Sequence, residues 1–344
     1  YDSITVSAQL LVLADRLGFG KICSGENADK RYRHFTARTQ LYAMMIAQLT
    51  GQKGLRTIEE TIASDNDLYH AGVSTHITRT NLAHANEKRP CGVFQKFYFH
   101  LVEHYKFLCG RGSRKEMKNL KLIDATTISL NMNDFGWAKF RSTKGGIKIN
   151  TRFDYDLDCA DYLFITNANK HENSTLGQMR LTENDIAVFD RGYFNKRQFL
   201  ELTESSISFV TRNKSNIEYE VISSDRKEKS DDSFTIRRDE IIRMKIGNSK
   251  KTPTYVTLRQ VVSCDNETGK EIALLTNMFD TASLEIAAIY KKRWEVELFF
   301  KMIKQNLRIK RFYGQSENAV KTQVWIALIV HLLFLILKAE TRQN

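Results

Sequence analysis

The stretch that decides the fold is Tyr290-Lys-Lys-Arg-Trp-Glu-Val-Glu-Leu-Phe-Phe-Lys-Met-Ile-Lys304. At about 100° per residue it predicts a helix, which we extend from Phe279 to Leu307. One face of this helix would gather cations and a phenol around one carboxylate; its members are Tyr290, Arg293, Glu297, Lys301, Lys304 and Arg308. A separate apolar stripe would face a core. A basic surface helix with ordinary i,i+4 pairs, such as Glu297–Lys301, is the alternative interpretation.

Two upstream carboxylates stand in strand-like sequence. The segment Leu120–Leu130 alternates with a period of two and carries Asp124 in its interior. A lone carboxylate in an apolar, β-branched strand is destabilising unless it is paired or bound to a metal, so Asp124 is a candidate site residue. An aspartate that merely starts a turn is the alternative, which the following Thr-Thr-Ile disfavours. Asp190 ends a second short apolar strand, where functional groups collect in open α/β sheets. A glycine turn then leads into a predicted helix, Lys196–Glu204.

Composition limits the classes of function. The chain has 344 residues, 42% of them hydrophobic, and a formal net charge of +12. Such a surplus favours a polyanionic partner, nucleic acid before an anionic membrane. The five cysteines are scattered and odd in number, which disfavours a disulfide scaffold or a zinc site and fits a reducing cytosol. No signal peptide opens the chain, and its start at Tyr1 suggests that some native residues are missing.

One apolar run, Val324–Leu337, has only fourteen residues and contains His331. A membrane span needs about twenty, so the run predicts a buried core helix.

The first 112 residues predict a helical region. Its helices are expected at Ala8–Leu17, His34–Leu49, Leu55–Ala63, Thr78–Lys88 and Gly92–Leu108. The third and fourth resemble a helix-turn-helix unit whose second helix offers side chains to DNA: Arg79, Thr80, Asn81, His84 and Asn86. An exposed polar helix in a bundle is the alternative.

The period then changes from 3.6 to 2. Residues 138–167 predict further strands with a basic glycine loop between them. Its cations Arg141, Lys144 and Lys148 either contact phosphates or are ordinary solvated side chains. A strand from Ile207 and some sixty turn-rich, alternating residues follow, with separate alternating segments at Ser233–Arg237 and Ile241–Ile246. The sequence therefore predicts a β-rich insertion before the helix that carries Glu297.

The spacing of Tyr290, Arg293, Glu297 and Lys304 resembles the Y-R-E-K signature of the DDE transposases of bacterial insertion sequences, in the insertion-sequence-four family. Asp190-Arg-Gly-Tyr resembles that family's second acidic motif, and Ala47–Arg56 and Asn81–Arg89 resemble its N-terminal region. The resemblance spans nearly the whole chain. Two positions depart from the usual pattern: Asn150 stands where the family usually has His, and Glu172 where it usually has Asp.

The resemblance implies an α/β fold: a ribonuclease-H-like catalytic core with a β-rich insertion, preceded by an all-helical DNA-binding domain. The expected domains are 1–112, the core at 113–211 and 279–344, and the insertion at 212–278. The implied catalytic and metal-binding residues are Asp124, Asp190 and Glu297. The implied DNA-binding residues are Tyr290, Arg293, Lys304, Arg191, Lys148, Lys144 and Trp294. For Trp294, a core-edge position is the alternative to a base-stacking surface.

Hard oxygen ligands suit Mg²⁺ or Mn²⁺, and two ions about 3.5–4 Å apart would serve phosphodiester displacement. By resemblance the partners are double-stranded DNA, as the element's terminal inverted repeats and target DNA, and a second copy in a homodimer. The expected activity is strand cleavage and transfer, in the bacterial cytoplasm at the nucleoid and without a membrane. Two alternatives are a catalytically silent DNA-binding derivative and a metal-dependent nuclease that does not join strands.

Overall fold

The computed structural model describes residues 6–30, 32–64, 77–110, 117, 119–141, 144–225, 228–247, 253–306 and 312–343. A helical N-terminal region precedes a large mixed sheet, as predicted. The helices are α1 (Val6–Arg16), α2 (Phe19–Gly25), α3 (Ala37–Thr50), α4 (Leu55–Ala63), α5 (Arg79–Lys88), α6 (Gly92–Cys109), α7 (Lys196–Glu204), α8 (Ser283–Lys291), α9 (Trp294–Asn306) and α10 (Glu317–Gln343).

The strands are β1 (Leu120–Leu130), β2 (Lys139–Arg141), β3 (Lys144–Asp154), β4 (Cys159–Asn167), β5 (Ile186–Phe189), β6 (Ser208–Arg212), β7 (Glu220–Asp225), β8 (Lys229–Ser230), β9 (Phe234–Ile246), β10 (Thr254–Asp265) and β11 (Glu271–Thr276). The chain divides into two compact units. The first comprises Tyr1–Ser113, Ile128–Ile147 and Phe300–Asn344, and the second comprises Arg114–Thr127 and Lys148–Phe299. The three-part division expected from the sequence stays a prediction.

The first unit is a helical bundle built on α3 and α10. Thr36 caps α3 by accepting a hydrogen bond from the backbone of Thr39, and Gly51 ends the helix in a left-handed conformation at φ 66°. Helix α10 packs against α6, α3, α5 and α1. The segment Glu317–Thr341 is long and apolar enough to cross a membrane, but 72% of its most apolar window is buried inside the protein. The predicted buried core helix is therefore confirmed.

Two predictions for this unit, one on a helix boundary and one on a DNA-facing side chain, need correction. The expected helix Ala8–Leu17 is followed by α2, a separate helix that begins after Gly18 turns the chain at φ 86°. Asn86 was predicted to reach DNA from α5, and this was wrong. Asn86 lies on the buried face of α5, where its amide oxygen accepts a hydrogen bond from Gln40 at 2.7 Å. Four other side chains of the same helix are exposed: Arg79, Thr80, Asn81 and His84.

A buried guanidinium holds the loop before α3. Arg89 is fully buried and donates to four acceptors, the carbonyls of Ala28 and Phe35 and the side chains of Gln40 and Asp29. It also stacks on the ring of Tyr32, with 4.1 Å between the guanidinium carbon and the ring centroid. A buried charge is tolerated only with such partners, so Arg89 fixes the path of the loop.

We expect Arg89→Met to lower the free energy of unfolding by about 3 kcal/mol or more, because it leaves Asp29 without its cationic partner and the carbonyls of Ala28 and Phe35 without their side-chain donor. Arg16→Met is the matched control. Arg16 pairs with Glu340 but is 58% exposed, so its loss should change stability by about 1 kcal/mol or less. Urea unfolding of both variants measures the difference; equal, small effects would contradict the structural role of Arg89.

The second unit contains the sheet that positions the site. Strands β1, β5 and β6 are parallel neighbours, and β6 continues antiparallel through β11, β10, β9 and β7. Helix α7 begins at the predicted residue, where Asn195 caps it by accepting from two backbone N–H groups. Its Phe199 packs in a stack with Phe189 and Phe209. These contacts tie the three parallel strands to one core.

The predicted strands change in two places. Gly145 and Gly146 were expected in a loop but lie inside β3, where a Cβ on Gly145 would come within 3.0 Å of the Leu130 carbonyl oxygen, a tight approach. The segments 233–237 and 241–246 of the insertion form one strand, β9, because it pairs along nearly its full length with β10. Alternation alone cannot reveal the length of a pairing partner.

Candidate active site

The sheet register brings Asp124 and Asp190 to neighbouring positions. Strands β1 and β5 pair in parallel, and the last paired residues are Ile123 and Phe189. The next residue on each strand is a candidate carboxylate, so both lie at the same edge of the pair. Strand β6 pairs with β5 up to Thr211, which places Arg212 at the next position of the third strand. This edge is the carboxyl end of three parallel strands, where α/β proteins collect functional groups.

The predicted continuous helix from Phe279 to Leu307 was wrong, because the chain forms α8 and α9 with a break at Lys292 and Arg293. Through the break, backbone N–H groups bond the carbonyl three residues back; these are Lys292 to Ile289, Arg293 to Tyr290, Glu295 to Lys292 and Val296 to Arg293. This is the tighter 3₁₀ pattern, which needs no glycine or proline and therefore leaves no mark in the sequence. Tyr290 and Glu297 consequently lie on different helices.

Arg293, at this break, connects two of the three candidate carboxylates. Its guanidinium donates to Asp124 Oδ2 at 3.4 Å and to a carboxylate oxygen of Glu297. The side chains of Asp124 and Arg293 are each 18% exposed, and that of Glu297 is 33% exposed. Because these three side chains are largely removed from water, the attraction of Arg293 for each carboxylate is stronger than that of a surface ion pair. Asp124 and Glu297, distant in sequence, are thus brought to one guanidinium.

Burial also perturbs the acid–base properties of the site. It raises the pKa of Asp124 to about 6, although the backbone N–H of Ala125 and Arg293 both favour the ionised form. Burial raises the pKa of Tyr290 to about 12; Arg293 and Arg212 oppose this shift, and Asp190 adds to it. A phenol with this pKa is protonated at neutral pH, so Tyr290 can act there as a hydrogen-bond donor.

The donor chemistry of the three acids fits a hard divalent cation. Asp190 Oδ1 is buried without a hydrogen-bond partner among the described residues, and a cation would satisfy it. Within the described part of the chain, no group of three or more His, Cys, Asp or Glu side chains is close enough to share one metal ion. Instead, the guanidinium of Arg293 lies between Asp124 and Glu297 and pairs with both carboxylates. The assignment of the three acids as metal ligands stays a prediction.

A fourth carboxylate, Glu172, belongs to the same neighbourhood and was not predicted as a site residue. Its Oε1 accepts from the ammonium of Lys148 at 3.2 Å, and its Oε2 lies where a Cβ on Gly192 would be. Lys148 was expected to contact phosphates; here it also donates to the Lys170 carbonyl at 3.1 Å and is 12% exposed. The one feature of the sequence that pointed to this residue was the departure from the usual family pattern, in which Asp stands at the place of Glu172.

Two concave surfaces lie next to the site residues in the second unit. A cleft of about 460 Å³ is lined by Asp190, Arg191, Gly192, Lys214, Ser215, Asn216 and Ile217. It places two cations, Arg191 and Lys214, around a candidate carboxylate, and Lys214 was not singled out from the sequence. A smaller apolar pocket of about 170 Å³ is bordered by Tyr290, Arg293 and Trp294. Trp294 is 58% exposed, which leaves its indole accessible for base stacking, and its role stays a prediction.

The remaining predicted cations are less defined. Lys304 is half-buried on α9, and Lys301 on the same helix is exposed. Lys144 begins β3, and its side chain lies outside the described atoms, as does all of Arg308.

Carboxylates at the carboxyl edge of a sheet, surrounded by arginine and lysine, are typical of enzymes that act on phosphodiesters. Comparison with known families gives the same class. The family described as Transposase DDE domain matches residues 116–333, and a domain of unknown function, DUF4372, matches residues 2–74. The chain belongs to the DDE transposases, whose general activity is DNA strand cleavage and strand transfer. Members of this family normally use divalent metal ions.

Two relatives named as transposases agree with this family, and one solved structure is also similar. The protein named as transposase y4zB of Sinorhizobium fredii is 34% identical over 257 residues, 73% of this chain and 69% of that protein. The protein named as transposase for insertion sequence element IS5377 of Geobacillus stearothermophilus is 27% identical over 239 residues, 69% of this chain and 62% of that protein. The solved synaptic complex of piggyBac transposase with hairpin DNA covers 97% of this chain and 76% of that chain, with 10% identity and a TM-score of 0.49.

The raised pKa of Asp124 predicts a pH-dependent stability. Its ordinary value is 3.8, so between about pH 4 and pH 6 the folded state holds a proton that the unfolded state has lost. The free energy of unfolding therefore falls as the pH rises through this range, by at most about 3 kcal/mol for this group. Asp124→Asn should be more stable than wild type at pH 8 in EDTA and indistinguishable from it at pH 4. Equal stability at pH 8 would contradict the destabilising charge.

Proposed function

We propose that this chain is the transposase of a bacterial insertion sequence of the insertion-sequence-four family, which binds the element's ends as a homodimer and inserts them into target DNA. Asp124, Asp190 and Glu297 are its catalytic carboxylates, on a ribonuclease-H-like core. The observation that carries this proposal is the register of β1 and β5, which ends both strands at a carboxylate, together with the bond from Arg293 to both Asp124 and Glu297.

The catalytic roles follow from charge and position. Asp124, Asp190 and Glu297 would hold one or two Mg²⁺ or Mn²⁺ ions, which activate the attacking oxygen and stabilise the leaving oxygen of a phosphodiester. Arg293 offers a planar fork that suits phosphate oxygens as well as carboxylates. Tyr290 keeps its proton and can donate a hydrogen bond to the DNA end. Lys304 lies on the same helix as Glu297 and would add a positive charge for the phosphate backbone of the DNA end.

The surfaces around these acids suit a DNA strand. Arg191, with Lys214, lines the cleft that contains Asp190, so a phosphate beside the carboxylate would be neutralised. Trp294 presents an exposed indole beside an apolar pocket, which suits stacking of a base. Lys148 is held by Glu172 and Lys170, so its contribution to phosphate binding is secondary; Lys144 remains a candidate.

The helical N-terminal region would dominate recognition of the terminal repeats. Helix α5 exposes Arg79, Thr80, Asn81 and His84, side chains that can contact base edges or phosphates. Its buried residues, Leu82, Ala85 and Asn86, fix the orientation of this exposed row. In this division of labour the first unit supplies affinity for the ends, and the acids of the second unit supply chemistry. A location at the DNA of the bacterial cytoplasm follows from the same proposal.

Two other functions make different predictions. A catalytically silent derivative would bind ends without cleaving them, although Asp124, Asp190 and Glu297 are all retained. A nuclease without strand transfer would cleave but leave the new 3′ end unjoined. An assay on one labelled terminal-repeat DNA with supercoiled target separates the three, since only a transposase yields a joined product.

We expect Asp124→Asn, Asp190→Asn and Glu297→Gln each to lower strand cleavage by at least about a hundredfold, because each removes a charge that the reaction requires. Affinity for the terminal repeat should stay within about threefold of wild type. Cleavage by gel assay and binding by fluorescence anisotropy, on the same DNA, measure the two effects. Wild-type cleavage by any one variant in Mg²⁺ would remove that residue from the site.

Arg293→Lys and Lys304→Ala should impair cleavage and strand transfer more than end binding. The lysine at 293 keeps the charge but loses the fork that reaches two partners, and we expect about a tenfold or larger loss of strand transfer. Lys301→Ala is the matched control on α9, since Lys301 is exposed and should be nearly neutral. If Arg293→Lys and Lys304→Ala both transferred strands as well as the Lys301 variant, this part of the chain would be only a basic surface.

A further inference from the structure

Glu172 is the carboxylate that the reaction scheme above does not use. It lies on a short turn after β4, in the second unit, and its Oε1 is bound by Lys148 at 3.2 Å. The side chain is 30% exposed, whereas that of Lys148 is 12% exposed. Lys148 is held in turn by the Lys170 carbonyl, so the position of the carboxylate is set by strand β3.

The other carboxylate oxygen is directed at the turn that carries Asp190. Oε2 of Glu172 occupies the space in which a Cβ on Gly192 would lie. Gly192 belongs to the 3₁₀ turn Arg191–Tyr193 that begins at Asp190, and this turn is closed by the bond from the Tyr193 N–H to the Asp190 carbonyl at 3.0 Å. Glu172 therefore lies between Lys148 of β3, which binds it, and the Asp190 turn, which it contacts at Gly192.

Glu172 is also part of the negative charge of the site. Its carboxylate is close enough to Asp124 to raise the pKa of that residue, though less than burial does. After burial, the charges of Asp124 and Glu172 raise the pKa of Tyr193, and Asp190 adds to the shift. Tyr193 is fully buried, and the neighbouring side chain of Thr175 partly opposes this rise in the pKa. Three carboxylates from separate segments thus act on one buried phenol.

We propose that Glu172 is a positioning residue of the active site: anchored by Lys148, it holds the Asp190 turn and strengthens the binding of a divalent cation. The inference rests on the proposed function, because it requires Asp124 and Asp190 to bind that cation. Residues that support metal ligands in this way typically change metal affinity by about 10–100-fold when they are lost.

The test measures Mn²⁺ binding to the full chain without DNA, by isothermal titration calorimetry, alongside the Mn²⁺ concentration for half-maximal cleavage. Glu172→Gln keeps the shape of the side chain and removes its charge. We expect the dissociation constant for Mn²⁺ and the Mn²⁺ concentration for half-maximal cleavage each to rise about tenfold. Glu204→Gln removes an exposed carboxylate at the end of α7 and is the matched control, expected to match wild type.

Gly192→Ala is the second arm, since it displaces the Glu172 carboxylate while leaving its charge in the protein. Gly192 is not among the residues with positive φ, so an alanine there tests space rather than backbone strain. We expect weakened Mn²⁺ binding, and partial recovery in the double variant Gly192→Ala, Glu172→Asp, whose shorter acid leaves room for the methyl group. If Glu172→Gln fails to fold, Mn²⁺ binding is compared between Gly192→Ala and this double variant instead.

The outcomes separate the two proposals. Mn²⁺ affinity unchanged in both Glu172→Gln and Gly192→Ala, but lost in Asp124→Asn, would overturn the role of Glu172 and leave the proposed function intact. Mn²⁺ affinity unchanged in Asp124→Asn and Asp190→Asn as well would overturn the proposed metal site itself. Weakened binding in Glu172→Gln with a wild-type melting temperature, together with recovery in the double variant, supports the positioning role.

Discussion

The site depends on one guanidinium facing two carboxylates in a partly buried place. Asp124 and Glu297 are brought within reach of Arg293 from a strand and a helix. Without a cation between them, two acids at this exposure would repel, and one would take up a proton. The attraction to Arg293 repays part of the desolvation that already raises the pKa of Asp124. The position of α9 relative to β1 is therefore linked to the charge balance of the site.

Hydrophobic packing supplies the frame for this charge balance. Ile123, Phe189 and Phe209 are fully buried, and they lie on the three parallel strands just before, or within, the segments that end at the site. Shifting one of these strands by one residue would exchange its buried and exposed faces, so the register is strongly specified. The polar edge is thus placed by apolar residues that take no part in the chemistry.

Local patterns predicted the parts of the fold that local physics determines. Strand β1 with Asp124, the Asp190 turn and helix α7 were all expected from alternation, a glycine and a following amphipathic helix. The break before α9 was not, because i→i−3 hydrogen bonds replaced i→i−4 bonds without a helix-breaking residue. Glu172 was missed because its partners Lys148 and Gly192 are far from it in sequence and only the fold brings them together. Asn86 was misassigned for the same reason, since Gln40 lies on another helix.

The carboxylates of the site differ in their partners, and this difference indicates where a metal ion would bind. Lys148 neutralises Glu172, and Arg293 is shared by Asp124 and Glu297. Asp190 Oδ1 has no hydrogen-bond partner in the described residues, although Asp190 lies at the register position next to Asp124. A buried carboxylate oxygen without a donor is destabilising, and a divalent ion is the partner that would satisfy it and balance Asp124 at once. The carboxylate oxygen that lacks a hydrogen-bond partner is therefore at the end of β1 and β5, where the proposed chemistry requires the ion.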